Sequence, residues 1–152
     1  MAKPRLILID DDKNALEGLV KILSHDGYSA SGVLSGYEAL NLLATINFDI
    51  AITDMRLPGL GGIPLIHEIK KRCKSIAIVV VTAYSSEKMA KEVIRCGADE
   101  YLTKPINIGE LESVLKGLWE KQILKQEGED SGFIPCMNNK TLKITGQERN
   151  EY

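Results

Sequence analysis

Five short aliphatic runs alternate with five segments of helical periodicity along this 152-residue chain, and that alternation leaves few folds open. The runs are Arg5–Ile9, Tyr28–Val33, Asp49–Thr53, Ala77–Val81 and Glu100–Leu102, short and largely β-branched or aliphatic, as strands are. Between them Leu16, Leu19, Val20 and Leu23 recur at helical spacing, until His25-Asp26-Gly27 stops the pattern. Tyr37, Leu40, Leu42 and Leu43 mark a second helix, and Ile63, Leu65, Ile66 and Ile69 a third. Met89, Val93 and Ile94 mark a fourth, closed by Gly97; Leu111, Val114, Leu115, Leu118, Trp119 and Ile123 form the last and longest. Strict alternation predicts an α/β fold, a doubly wound parallel sheet with right-handed crossovers. The runs at 50–53 and 76–81 are continuously apolar, as expected of strands covered on both faces.

Polar residues fall where these runs stop. Asp10, Asp11 and Asp12 follow the first run, Asp54 the third, Thr82 the fourth, and Lys104 comes just after the fifth. Parallel strands all point one way, so residues past their ends share one edge, which is where open α/β sheets bind ligands. Carboxylates converging there need a cation, and hard oxygen donors favour Mg²⁺. A hydroxyl and an ammonium group beside them suit an anion with charged oxygens. The set points to phosphoryl chemistry on an aspartate.

Each residue also has a plainer reading. Asp12, followed by Asn14-Ala15-Leu16, suits a helix N-cap, and Asp10 and Asp11 repel one another unless a cation offsets them. Asp54 ends a buried strand, where a carboxylate without a partner is costly, and Leu57-Pro58-Gly59 then turns the chain away. Thr82 alone reads as a strand residue and Lys104 alone as a surface lysine. A cis Lys104–Pro105 bond would aim the ammonium group inward. His25, at a helix end, and His67, mid-helix, stand away from the acidic edge.

Charge and cysteine content narrow the classes further. The net charge is −2, and it resides in residues 126–152, while residues 1–125 are neutral. No basic stripe supplies the attraction that nucleic-acid binding needs, so direct DNA binding by this chain is not expected. Cys73, Cys96 and Cys136 form neither a metal pair nor a disulfide framework, so reduced thiols and a cytoplasmic location are expected. The longest apolar run, Ile76 to Ala83, is too short to span a membrane, and the first strand begins too early for a signal peptide. Residues 1–125 read as one domain. Residues 126–152, opening with Gln126-Glu127-Gly128-Glu129-Asp130-Ser131-Gly132, read as a linker or tail, flexible or the stub of an output region.

Asp10-Asp11, Thr53-Asp54-Met55-Arg56-Leu57-Pro58-Gly59, Val81-Thr82-Ala83 and Gly97-Ala98-Asp99-Glu100-Tyr101-Leu102-Thr103-Lys104-Pro105 together resemble the receiver domain of two-component response regulators. The resemblance covers roughly residues 4–122, with every signature station in order. It implies a flavodoxin-like sheet in strand order 2-1-3-4-5 with five helices. It also implies that Asp54 is the phosphoacceptor, fed by a sensor histidine kinase or a histidine phosphotransfer protein. Asp11 and Asp54 would ligate Mg²⁺ directly, Asp10 through water, and the Arg56 backbone carbonyl would complete the protein's share. Lys104 would contact the phosphoryl group, Thr82 would be the switch hydroxyl and Tyr101 the switch aromatic; a core tyrosine is the plainer reading of Tyr101.

Receivers often carry an acidic residue after the Pro-Gly turn, where this chain has Gly61-Gly62. Arg56 and Tyr84, two past Asp54 and Thr82, are expected to flank the path of water to the phosphoryl group. The face formed by the fourth helix, fifth strand and fifth helix carries mixed charge. A solvated face is the expectation, with a homodimer through it as the alternative. Such a protein is no enzyme beyond its own phosphorylation and dephosphorylation. It is either a stand-alone switch or the N-terminal receiver of a larger transcriptional regulator with ATPase or DNA-binding output. An aspartyl-phosphate hydrolase on a similar sheet usually carries a second Asp two residues after the nucleophile, and here that position is Arg56.

Overall fold

The computed structural model describes residues 2–129. Strands β1 (Arg5–Ile9), β2 (Ser29–Val33), β3 (Ile50–Asp54), β4 (Ala77–Thr82) and β5 (Glu100–Thr103) form one parallel sheet in the order β2-β1-β3-β4-β5. Helices α1 (Lys13–His25), α2 (Gly36–Leu43), α3 (Gly62–Arg72), α4 (Glu87–Arg95) and α5 (Ile108–Glu129) join them. The expected fold and strand order are what the chain adopts.

Two cores follow from the period of two along each strand. Ile7, Ile9, Ala51, Ile78 and Val80 face one way and pack with Ala39 and Leu43 of α2, Leu65, Ile66 and Ile69 of α3, and Val93 of α4. Leu6, Leu8, Ile50, Ile52, Val79 and Val81 face the other way, against Leu16 and Leu23 of α1 and Leu111, Leu115 and Leu118 of α5. Helix starts are set by short polar side chains that accept otherwise unpaired N–H groups. Asp12 accepts from Ala15 N–H at 3.2 Å, Ser35 from Glu38 at 3.1 Å, Ser86 from Met89 at 3.0 Å and Asn107 from Glu110 at 2.9 Å. The capping reading of Asp12 is thus the observed one.

The opposite edge of the sheet is tied down by side chains reaching backbone carbonyls. Gln122 of α5 donates to Asp49 O at 2.8 Å and Ser75 O at 3.1 Å, and Trp119 Nε1 donates to Ala2 O at 3.1 Å. Asp99 accepts from Ile78 N–H at 2.8 Å, holding the start of β5 against β4.

Two expectations need correction. Helix α5 continues to Glu129, through the stretch read as the opening of a linker. Leu124, Lys125, Gln126 and Glu127 are all good helix formers, and Gly128 costs only about 1 kcal/mol in a helix that has already propagated. Cys73, buried at the end of α3, is disulfide-bonded while Cys96 is free. Reduced thiols were expected, which holds at Cys96 and not at Cys73. Cys136 and the rest of the expected tail lie outside the described residues. No helix among the described residues is long and apolar enough to cross a membrane.

Candidate functional site

The C-terminal ends of β1, β3, β4 and β5 carry the site, because a parallel sheet presents all four ends on one edge. Asp54 is the last residue of β3, and Asp10 and Asp11 directly follow β1, its sheet neighbour. One carboxylate oxygen from each of Asp10, Asp11 and Asp54 lies within 4.8 Å of the others. Backbone N–H groups orient two of them: Asp12 N–H donates to Asp10 Oδ1 at 2.9 Å, and Arg56 N–H donates to Asp54 Oδ1 at 3.1 Å. Asp11 is exposed at the mouth.

Lys104 arrives from the far side of β4. Its backbone N–H is bonded to Thr82 O at 2.8 Å, and the Lys104–Pro105 peptide is cis, as the sequence suggested. Its ammonium group lies 2.7 Å from Asp54 Oδ2 and 3.5 Å from Asp10 Oδ2. Burial of Lys104 works against its charge. The hydrogen bond and charge of Asp54, and then the charge and hydrogen bond of Asp10, outweigh burial and hold the ammonium pKa above its usual 10.5. It is therefore a fixed cation at any physiological pH. Below the polar groups, Leu8, Leu16, Leu19, Ile52, Val81 and Ile106 form an apolar floor around a cavity of about 20 Å³, room for one water.

Thr82 ends β4 and is almost wholly buried. Its Oγ1 accepts from Tyr84 N–H at 3.1 Å, so the hydroxyl faces the β4–α4 connection. The half-buried Tyr101 packs against the α2–α4 core and donates its O–H to the same residue, Tyr84 O, at 3.2 Å. Tyr84 therefore joins Thr82 and Tyr101 through its backbone. Its ring, mostly exposed, is covered by the Arg56 guanidinium at 4.1 Å from the ring centre. That stack bridges the loops after β3 and β4. Spacing alone put both residues near the mouth, but no sequence signal could have paired them.

The donor set is all oxygen: three carboxylates and, within two residues of Asp54, the backbone carbonyl of Arg56. Hard donors clustered this closely fit a small hard dication such as Mg²⁺. Both histidines stand clear of the site, His25 at the end of α1 and His67 exposed on α3.

A family model described as the response regulator receiver domain matches residues 6–116. The chain is 29% identical over 123 residues to the regulatory protein AtoC of Escherichia coli K12, an alignment covering 81% of this chain and 27% of AtoC. Among solved structures it resembles a CheY-like response regulator receiver domain protein from Methanospirillum hungatei JF-1, with a TM-score of 0.76 and 27% identity over 82% of this chain and 99% of that one. It also resembles the beryllofluoride-activated NtrC4 receiver domain, solved as a dimer, with a TM-score of 0.73 and 25% identity over 78% of this chain and 98% of that one.

Proposed function

Given that the chain belongs to the response regulator receiver family, we propose that it is a phosphorylation-controlled switch with Asp54 as acceptor. The observation that carries this reading is the convergence of Asp10, Asp11 and Asp54 with the Lys104 ammonium group, 2.7 Å from Asp54 Oδ2, on one sheet edge. Asp10, Asp11, Asp54 and the Arg56 carbonyl would hold Mg²⁺, which when bound neutralises the oxygens of an incoming phosphoryl group. The Asp54 carboxylate attacks the phosphorus of a phosphohistidine carried by a sensor histidine kinase or a histidine phosphotransfer protein; the new P–O bond forms as the P–N bond breaks, and the imidazole leaves and takes up a proton. Lys104 stabilises the charge that develops on the transferring oxygens.

The new dianion then competes for hydrogen bonds already made. Thr82 Oγ1 turns from Tyr84 N–H and donates to a phosphoryl oxygen. The Tyr84 backbone, freed on that side, lets Tyr101 move inward. Such a rearrangement shifts a pre-existing equilibrium of α4, β5 and α5 rather than creating a new state. The chain's chemistry is then confined to gaining and losing its own phosphoryl group. Output passes through the α4–β5–α5 face, either to a partner protein or to a second copy of the chain in a homodimer. The action is cytoplasmic and needs no nucleic-acid contact by this domain, here taken as residues 1–125, with 126–152 as a linker or tail whose first residues, to Glu129, continue α5. The similarity to AtoC, of which the chain spans 27%, favours a second reading as the N-terminal receiver of a larger transcriptional regulator with ATPase or DNA-binding output.

Intact-protein mass after incubation with acetyl phosphate tests the core of this reading. One phosphoryl adduct is expected with Mg²⁺, none with chelator and none in Asp54→Asn. An adduct that persists in Asp54→Asn would overturn the assignment of the acceptor.

A further inference from the structure

We infer that Gly36, Tyr37 and Gly61 are positioning residues for the Mg²⁺ site: they brace the loop 55–61 so that the Arg56 carbonyl is held in register with Asp54. The inference rests on the reading of that loop as metal-binding.

The near leg of the loop is pinned directly. Met55 N–H donates to Val81 O at 2.9 Å and Arg56 N–H to Asp54 Oδ1 at 3.1 Å. The carbonyl of Arg56 lies beyond those bonds, in the peptide plane it shares with the nitrogen of Leu57. What fixes that plane is close packing. A Cβ at Gly61 would fall 2.9 Å from Leu57 Cβ and 3.1 Å from both Leu57 N and Leu57 O. Gly61 thus lies flat against the residue that orients the carbonyl. Its φ of −155° is open to any residue, so space and not backbone conformation demands glycine there.

The far leg is held from α2. Gly36 is buried at the first position of that helix, and its φ is not left-handed. A Cβ there would come closer than 3.0 Å to the Leu60 carbonyl oxygen, and within 3.2 Å of Leu65 Cδ1. Leu60 precedes Gly61, so the contacts run without a gap from Gly36 through Leu60, Gly61 and Leu57 to Arg56. Tyr37 closes the turn between the legs: its ring would meet a Cβ on Gly59 at 3.2 Å, and Gly59 itself takes the left-handed φ of +79°. An exposed tyrosine laid over a glycine turn has little to gain from burial, and its evident role is to keep the turn from lifting.

Such supporting contacts matter because metal ligands tolerate little displacement. Losing a partner that orients a ligand typically weakens metal binding by about tenfold or more. Gly36→Ala must push Leu60 outward, and Gly18→Ala is its control, since nothing lies within 4 Å of a Cβ added on α1 there. Mg²⁺ affinity is measured by calorimetry on unphosphorylated protein, with thermal unfolding in chelator to establish that each variant is folded. Wild-type protein must bind Mg²⁺ first; if it does not, the metal-site reading itself fails.

With wild-type binding established, Gly36→Ala is expected to bind about tenfold more weakly and Gly18→Ala within about twofold of wild type. The amide resonances of Arg56 and Leu57 are expected to move in metal-free Gly36→Ala while those of β1 stay in place. A folded Gly36→Ala with wild-type affinity would overturn the brace and leave the metal site standing. If Gly36→Ala does not fold, Tyr37→Ala decides: weaker Mg²⁺ binding supports the brace, and unchanged binding overturns it.

Discussion

Asp11 is the exposed member of the three clustered carboxylates, and replacing it with asparagine separates the cost of that cluster from its use. Its oxygen lies within 4.8 Å of those of Asp10 and Asp54, and the Lys104 cation lies against the other two. At that separation each like-charge pair costs about 0.9 kcal/mol in bulk water and about 3.5 kcal/mol at an effective dielectric of ~20. Exposure of Asp11 keeps both of its pairs near the lower figure. Asp11→Asn should therefore stabilise the metal-free protein by about 1–2 kcal/mol, which raises Tm by roughly 4–8 °C in a domain of this size. Mg²⁺ reverses the order. At a hundred times its Kd, a bound ion stabilises the wild type by about 2.7 kcal/mol, and a variant lacking one anionic donor gains much less. Thermal unfolding followed by circular dichroism, in chelator and in excess Mg²⁺, reads both halves. If Asp11→Asn is no more stable than wild type in chelator, or if Mg²⁺ raises both proteins equally, the account of three carboxylates sharing one cation site is wrong.

Three further outcomes follow from contacts elsewhere. Glu112 on α5 meets Asp26 at the end of α1; their hydrogen bond, then burial and the Asp26 charge, push Glu112 above its usual 4.5, while the same bond holds Asp26 below its usual 3.8. The shared proton stabilises the fold between those two pKa values, and that contribution is lost as pH rises through the raised pKa of Glu112; Glu112→Gln should flatten this decline in a pH series of urea midpoints, and an unchanged decline would exclude the pair as its source. Tyr84→Ala removes the exposed Arg56 stack, worth about 0.5–1 kcal/mol, so the lifetime of the Asp54 phosphoryl adduct should shorten about two- to fivefold, and a lengthened lifetime would mean the stack aids water instead of screening it. Leu115→Ala, at a fully buried position of α5, should cost about 2–5 kcal/mol in urea unfolding and leave Mg²⁺ affinity unchanged, because Leu115 packs in the core on the α1–α5 face and does not line the site.

Much of this protein is legible in one dimension. Apolar periods of two and of 3.6 identify strands and helices, because burial on a face repeats with backbone geometry. Their alternation forces parallel strands, and parallel strands force Asp10, Asp11, Asp54, Thr82 and Lys104 towards one edge. Asp12 was readable as a cap because capping is local. Helix α5 past Lys125 was missed for the opposite reason: a glycine and a polar run look like a linker, yet a helix anchored by Trp119 and Gln122 carries straight through them.

The sequence by itself determined which residues reach the edge, since strand direction and side-chain alternation are properties of the backbone. Only the tertiary structure decided how they meet there. Arg56 lies over Tyr84, Glu112 and Asp26 shift one another's pKa, and Leu60 crowds Gly36, because each pair comes from different elements whose approach is set by packing. Spacing along a chain records faces and ends; contact distances between elements arise only when the whole core is filled.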